Sequence, residues 1–229
     1  MTSSRQLTVL GAVLVAAVAF APSLLATLVV GDFSSVGALR DGLPGAFAEH
    51  WRLGDGTLGH ALSRSADYWA TFHVVKAVAA ALLLAVVVSA LRRGRRRPPV
   101  ATAGLVLLAA AAVVLVIANV QGAIAPVSSL LSMLPADAVS AAADARGTTA
   151  FDGLVHDFAV YHAVVAVLAG ATAVVLVVMG VRSWRRRGRP TAVVALSAAV
   201  LLGVVALANT TTTMDPEPAL VGFLDAGSR

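Results

Sequence analysis

Five apolar runs, at residues 7–30, 69–91, 100–118, 158–181 and 191–208, constrain this chain more than anything else in it. Together they hold one charged side chain, Lys76. About 20 apolar residues cross the hydrocarbon of a bilayer as a helix. Lipid offers no partner to backbone polar groups, so a spanning run must satisfy them internally. The composition agrees: 59% of the residues are hydrophobic and 13% charged, where a soluble domain carries roughly a quarter charged. The expected fold is an all-α integral membrane protein, a bundle of five transmembrane helices. There is no cysteine, which excludes disulfides, thiolate metal sites and thiol chemistry.

The first run has a competing reading as a secretory signal, because Arg5 supplies a basic start and Ala19-Phe20-Ala21 a small-x-small cleavage site. Pro22 directly after that site, and the continuation of the run to Val30, argue for a retained helix. The outer loops fall at residues 31–68 and 119–157, with a tail at 209–229 expected to begin irregularly. Short interfacial helices are expected at 46–51, 57–66, 127–134 and 136–145, with Thr57 as an N-cap. The loops at 92–99 and 182–190 are short and turn at Pro98-Pro99 and Pro190.

Charge sets the orientation. The two short loops carry Arg92, Arg93, Arg95, Arg96 and Arg97, then Arg182, Arg185, Arg186, Arg187 and Arg189. With Arg5 they put 11 arginines and no acid on one side; all 12 Asp and Glu fall on the other. The positive-inside rule makes the arginine side cytoplasmic, with the N-terminus inside and the C-terminus outside. The arginines read as anchors to anionic inner-leaflet lipids, each contributing on the order of 1 kcal/mol. The net charge of +5 does not read as a nucleic-acid face, because a basic patch with interleaved aromatics is missing. Heavy use of Ala, Val, Gly and Arg beside a single lysine fits a GC-rich bacterial coding bias, and places the chain in a bacterial cytoplasmic membrane.

The halves also repeat. His73 matches His162 at an offset of 89, with Phe72 on Tyr161 and Trp69 on Phe158. Ala118-Asn119 matches Ala208-Asn209 at 90, with Pro126 on Pro216 and Leu130 on Leu220. Val36, Leu39 and Leu43-Pro44 match Val127, Leu130 and Leu134-Pro135 at 91. Each unit crosses twice, so its copies share one orientation and form a parallel repeat. The repeat predicts His73 and His162 at equal depth near the outer surface, level with Asn119 and Asn209. Ala77, Ala81 and Ala85, and Ala166 and Gly170, are the predicted faces of close helix approach.

Candidate chemistry gathers on that outer side. All five histidines, His50, His60, His73, His156 and His162, lie there. Paired His73 and His162 could ligate haem or a divalent metal, with Asp67, Asp157 and Tyr161 completing a shell. Against this, neither helix carries a metal-ligand spacing, and histidines in an aromatic belt more often bond across helices. Lys76 lies one turn beyond His73; it is a candidate to hold an anionic ligand, or it lifts its ammonium to the headgroups. Lys76, Asn119, Tyr161 and Asn209 could line a polar outer vestibule, and Gln121 with Thr210-Thr211-Thr212-Thr213 could extend it.

No hydrolase elbow, P-loop, dinucleotide fingerprint or zincin motif is present. The leading expectation is a non-enzymatic protein that binds or docks a partner through its outer loops, the partner being a membrane protein or a second copy. A haem- or metal-binding redox or metal-handling protein is the alternative, and a small permease or channel component the third.

Overall fold

A computed structural model describes residues 4–93, 98–186 and 188–227. Among the described residues the chain is helical and has no strand. The helices are α1 (Ser4–Val30), α2 (Val36–Leu53), α3 (His60–Arg93), α4 (Pro99–Ile124), α5 (Pro126–Leu131), α6 (Ala136–Asp144), α7 (Thr149–Arg185), α8 (Arg189–Met214) and α9 (Pro216–Gly227). Five of them, α1, α3, α4, α7 and α8, are long and apolar enough to cross a membrane, which fits a multi-pass membrane protein. They stand in a row: α1 packs on α3, α3 on α4, α4 on α7 and α7 on α8.

The long helices outrun their apolar runs at one end. With 34 and 37 residues, α3 and α7 are about 50 and 55 Å long, against roughly 30 Å of hydrocarbon. Their first turns stand above the runs and meet α2, α5 and α9, and α6 completes this helical cap by packing on α2 and α9. The segment 57–66, expected as a separate short helix, belongs mostly to the start of α3. Thr57 is not its N-cap. Its hydroxyl donates to Asp55 Oδ1 at 2.7 Å, and its N–H donates to the same oxygen at 2.9 Å. Asp55 thus closes the turn between α2 and α3, and these bonds hold its carboxyl below the ordinary carboxylate range.

α2 is also longer than the expected segment 46–51. Ser35 caps it by accepting from the Ala38 N–H at 3.1 Å, and Gly54 ends it at φ 66° with its N–H on His50 O. Pro44 lies inside it. That proline deprives the Arg40 carbonyl of its helix partner, and Arg40 is exposed, where water can replace it. Gly56, at φ 81°, comes so close to Thr149 that a Cβ would stand 2.9 Å from its Cγ2. The tail is helical rather than irregular: α8 continues to Met214, and α9 follows after the single residue Asp215. A proline at the first position of α9 is preorganised for a helix start, which is why the helix resumes at once.

The cap holds the largest apolar core. Leu39, Leu43, Phe47, Leu62, Leu130, Leu220 and Leu224 are fully buried in it. Asp157 on α7 accepts from the Ser128 N–H of α5 at 2.7 Å, and Trp69 Nε1 donates to Ser129 Oγ at 3.0 Å. Arg146 donates to Asp225 at 2.8 Å beside the contact between α6 and α9. Along the runs the contacts are made by smaller residues. On α3 the packed stripe is Ala80, Leu83, Val87 and Ala90, and Ala81 and Ala85 are exposed, contrary to the predicted face. On α7 the buried positions along the run include Ala169, Ala173 and Gly180, while the predicted Ala166 and Gly170 are half-buried, with Gly170 facing Ala206 of α8. Sequence spacing named the right kind of residue but could not settle which way each helix is rotated.

Two outcomes are expected. In detergent, Leu130→Ala should cost about 2–5 kcal/mol of unfolding free energy, because Leu130 has no exposed surface. Val194→Ala, at a position 64% exposed on α8, should stay within about 0.5 kcal/mol. Arg64 on α3 donates to the Asp32 carboxylate and to Val30 O, tying the end of α1 to α3. The Arg64 hydrogen bond holds Asp32 below its ordinary range. A lowered acid contributes above its unfolded pKa and loses that contribution as pH falls through the folded value. Titrating Asp32 by NMR should therefore show the tie intact at neutral pH and released only below the usual aspartate range.

Candidate functional site: two histidine–asparagine pairs

Where the cap meets the row of long helices, two histidines are each bonded to an asparagine on the next helix. His73 Nδ1 on α3 lies 2.7 Å from Asn119 Oδ1 on α4. His162 Nδ1 on α7 lies 2.7 Å from Asn209 Oδ1 on α8. The asparagines are set by their own helices. Asn119 Nδ2 donates to Leu115 O at 2.7 Å, and Asn209 Nδ2 donates to Val205 O at 2.8 Å, each four residues back. With the amide nitrogen committed, only the oxygen can face the ring. An oxygen has no proton to give, so the ring Nδ1–H is the donor. Each neutral imidazole is therefore the Nδ1–H tautomer, with its lone pair on Nε2.

The aromatic surroundings match as well. Trp69 stands edge-on to His73 at 4.6 Å between ring centroids, and Phe158 to His162 at 4.5 Å. Phe72 and Tyr161 meet the same two imidazoles at 5.6 and 5.5 Å.

The pairs differ in cover. Asn119 is buried and His73 Nε2 is buried without a hydrogen-bond partner. Gly122 lies against the His73 ring, where a Cβ would stand 2.7 Å from both Nε2 and Cδ2. The matching position on α8 is Thr212, and Asn209 there is only half-buried. Lys76 stands beside the first pair alone, its Nζ 5.2 Å from the centroid of the Phe72 ring, a cation–π contact.

The structure thus joins each histidine to an asparagine, a pairing that the sequence placed at one level without linking. The two histidines sit in separate pairs, with α4 packed against both of their helices. Asp157 is engaged with α5, and Asp67 is exposed. His50 is buried, with Nδ1 3.1 Å from Thr57 O, while His60 and His156 are exposed. Among the described residues no group of three or more His, Asp or Glu could hold a metal ion. The hydroxyls of Thr210, Thr211, Thr212 and Thr213 donate to carbonyls of their own helix.

Arg92 and Arg93 form the last turn of α3, Arg182 and Arg185 that of α7, Arg186 follows as its C-cap, and Arg189 begins α8. Arg95, Arg96, Arg97 and Arg187 lie outside the described residues. No family model, no curated protein and no solved structure matches this chain.

Nitrogen-detected NMR should find the His73 Nδ1 protonated and hydrogen-bonded. Asn119→Ala leaves that buried N–H without an acceptor, and should cost about 1–3 kcal/mol in thermal or denaturant unfolding. In a His73→Phe background the same substitution should cost far less. An equal cost in both backgrounds would show that the bond does not hold α3 to α4.

Proposed function

We propose that this chain is a multi-pass protein of a bacterial cytoplasmic membrane, N-terminus inside and C-terminus outside, that docks a partner through its outer cap. The observation that carries this reading is the position of the main core. Most of the buried leucines and large aromatics lie at the acidic end of the bundle, chiefly beyond the apolar runs, where a span by itself needs no such core. A packed cap is a rigid surface, and rigid surfaces bind with little ordering cost. The turn between α2 and α3 presents Leu53 and Leu58, 40% and 44% exposed, on either side of the Asp55 turn. The His50–Thr57 contact and the approach of Gly56 to Thr149 hold that turn in place. Leu53 and Leu58 are the proposed docking contacts. No evident catalytic motif accompanies them, and the reading is of a binding protein rather than an enzyme.

The same reading takes the chain as about two and a half copies of one parallel unit. The matched histidine–asparagine pairs support it, since four atoms and two aromatic contacts recur within about 0.1 Å. So do Leu39, Leu130 and Leu220, which match in sequence and are all fully buried in the cap core. In this unit each pair fastens a His-bearing helix to the helix that follows it.

The absence of native cysteine makes the test clean. In intact cells, Ser140→Cys should react with an impermeant thiol reagent and Arg186→Cys only after lysis. The opposite pattern would reverse the topology. A photocrosslinking residue at position 58 should give one discrete protein adduct, abolished by Leu53→Asp, whereas a residue at position 194 should label lipid. Lipid adducts alone at position 58 would remove the docking role.

A further inference from the structure

We infer that the cleft between α1 and α4, floored by α3 at the arginine end, seats one acyl chain of an anionic phospholipid. The inference rests on the membrane reading above. α1 and α4 both pack on α3 and leave a groove of about 550 Å³ between them, within the roughly 300–1,000 Å³ of ligand pockets. Two glycines hollow it. A Cβ on Gly104 would meet nothing within 4 Å, and one on Gly11 only Val86 at 3.9 Å. Val87 and Ala90 form the floor and Leu105 one wall, so the lining is almost wholly apolar. The same end of the bundle has a second small core of Leu14, Leu83 and Val87, which holds the three helices apart at fixed spacing.

Charge complementarity selects the occupant. Ala90 and Val86 line the groove, and Arg93 stands three and seven residues beyond them, on the same face of α3 at its mouth. Arg92 is its neighbour, and Arg5 lies in the first turns of α1, three residues before the lining Thr8. The first acidic residue in the chain is Asp32, at the far end of α1. An apolar slot opening onto a cluster of arginines suits a molecule with one chain and a phosphate at its head. A zwitterionic lipid offers the same chain without the net charge, and a second copy of this chain would bring its own arginines to the same mouth.

The test is native mass spectrometry of the full chain released from nanodiscs of equal phosphatidylglycerol and phosphatidylcholine with matched acyl chains. The expected result is one retained phosphatidylglycerol per chain, preferred on the order of tenfold. Gly104→Leu, at a lining position where a Cβ meets nothing within 4 Å, should lose it. Gly203→Leu, at an exposed glycine of α8 with equal room for a side chain, should keep it. Arg93→Gln should retain a lipid but lose the preference. Equal retention of the two lipids, retention unchanged in Gly104→Leu, or a dimer in place of the lipid adduct would overturn the inference and leave the membrane reading standing. Failure of the wild type to enter nanodiscs at all would overturn both.

Discussion

Helices that cross lipid gain little from pressing leucine against leucine, because hydrocarbon already surrounds them. Everything distinctive in this chain follows from where it finds another source of cohesion. Along the apolar runs many buried positions are small, such as Ala80, Ala112, Ala169 and Ala199, beside the few larger Leu14, Leu83 and Val87, and many valines face outward. Close backbone contact takes the place of side-chain burial there. At Gly180 a Cβ would stand 2.8 Å from Leu196, so α7 and α8 meet more closely than any larger residue allows. Most of the large buried side chains gather instead in the cap, where burial from water drives their packing. The cap therefore gathers what the runs cannot, and among the long helices its core draws on α1, α3 and α7.

The histidine–asparagine pairs lie at the transition between these two regimes. A polar side chain there needs a partner, and the helix itself supplies part of it. The carbonyl four residues back takes the asparagine amide, which turns the oxygen toward the neighbouring helix. The imidazole then has one way to answer. The chain of causes runs from a helical spacing to a side-chain orientation, from that to a tautomer, and from the tautomer to a joint between helices. What remains is the unshared Nε2 of His73, sealed between Gly122 and the aromatic rings. Glycine's lack of a side chain at position 122 makes room for the imidazole.

Much of this was legible beforehand, for reasons that can be named. Hydropathy over some twenty residues is a strong signal, and the runs at 69–91 and 158–181 lie within α3 and α7. The matched His73 and His162, and the matched asparagines, pointed to one level of the bundle. The pairing across helices was not legible, because nothing along the chain says which face of α4 looks toward α3. The cap was underestimated for a related reason. Pro44 and Pro216 punctuate the sequence as though helices must stop there, yet one sits inside α2 and the other begins α9. Prolines are tolerated where a first turn or an exposed carbonyl removes their cost.

By itself, the sequence determined the helical class, the five apolar runs, the segregation of arginines from carboxylates and the residue matches, His73 with His162 among them. These are properties of composition and spacing, which local physics reads directly. Only the tertiary structure decided that α3 and α7 extend into a cap, that Ala80 rather than Ala81 faces inward, and that each histidine bonds an asparagine on the next helix. Those depend on the rotation of one helix against another. A helix surface of alanine and valine looks nearly alike from every side, so the choice falls to the few polar atoms and small residues that only one arrangement brings together.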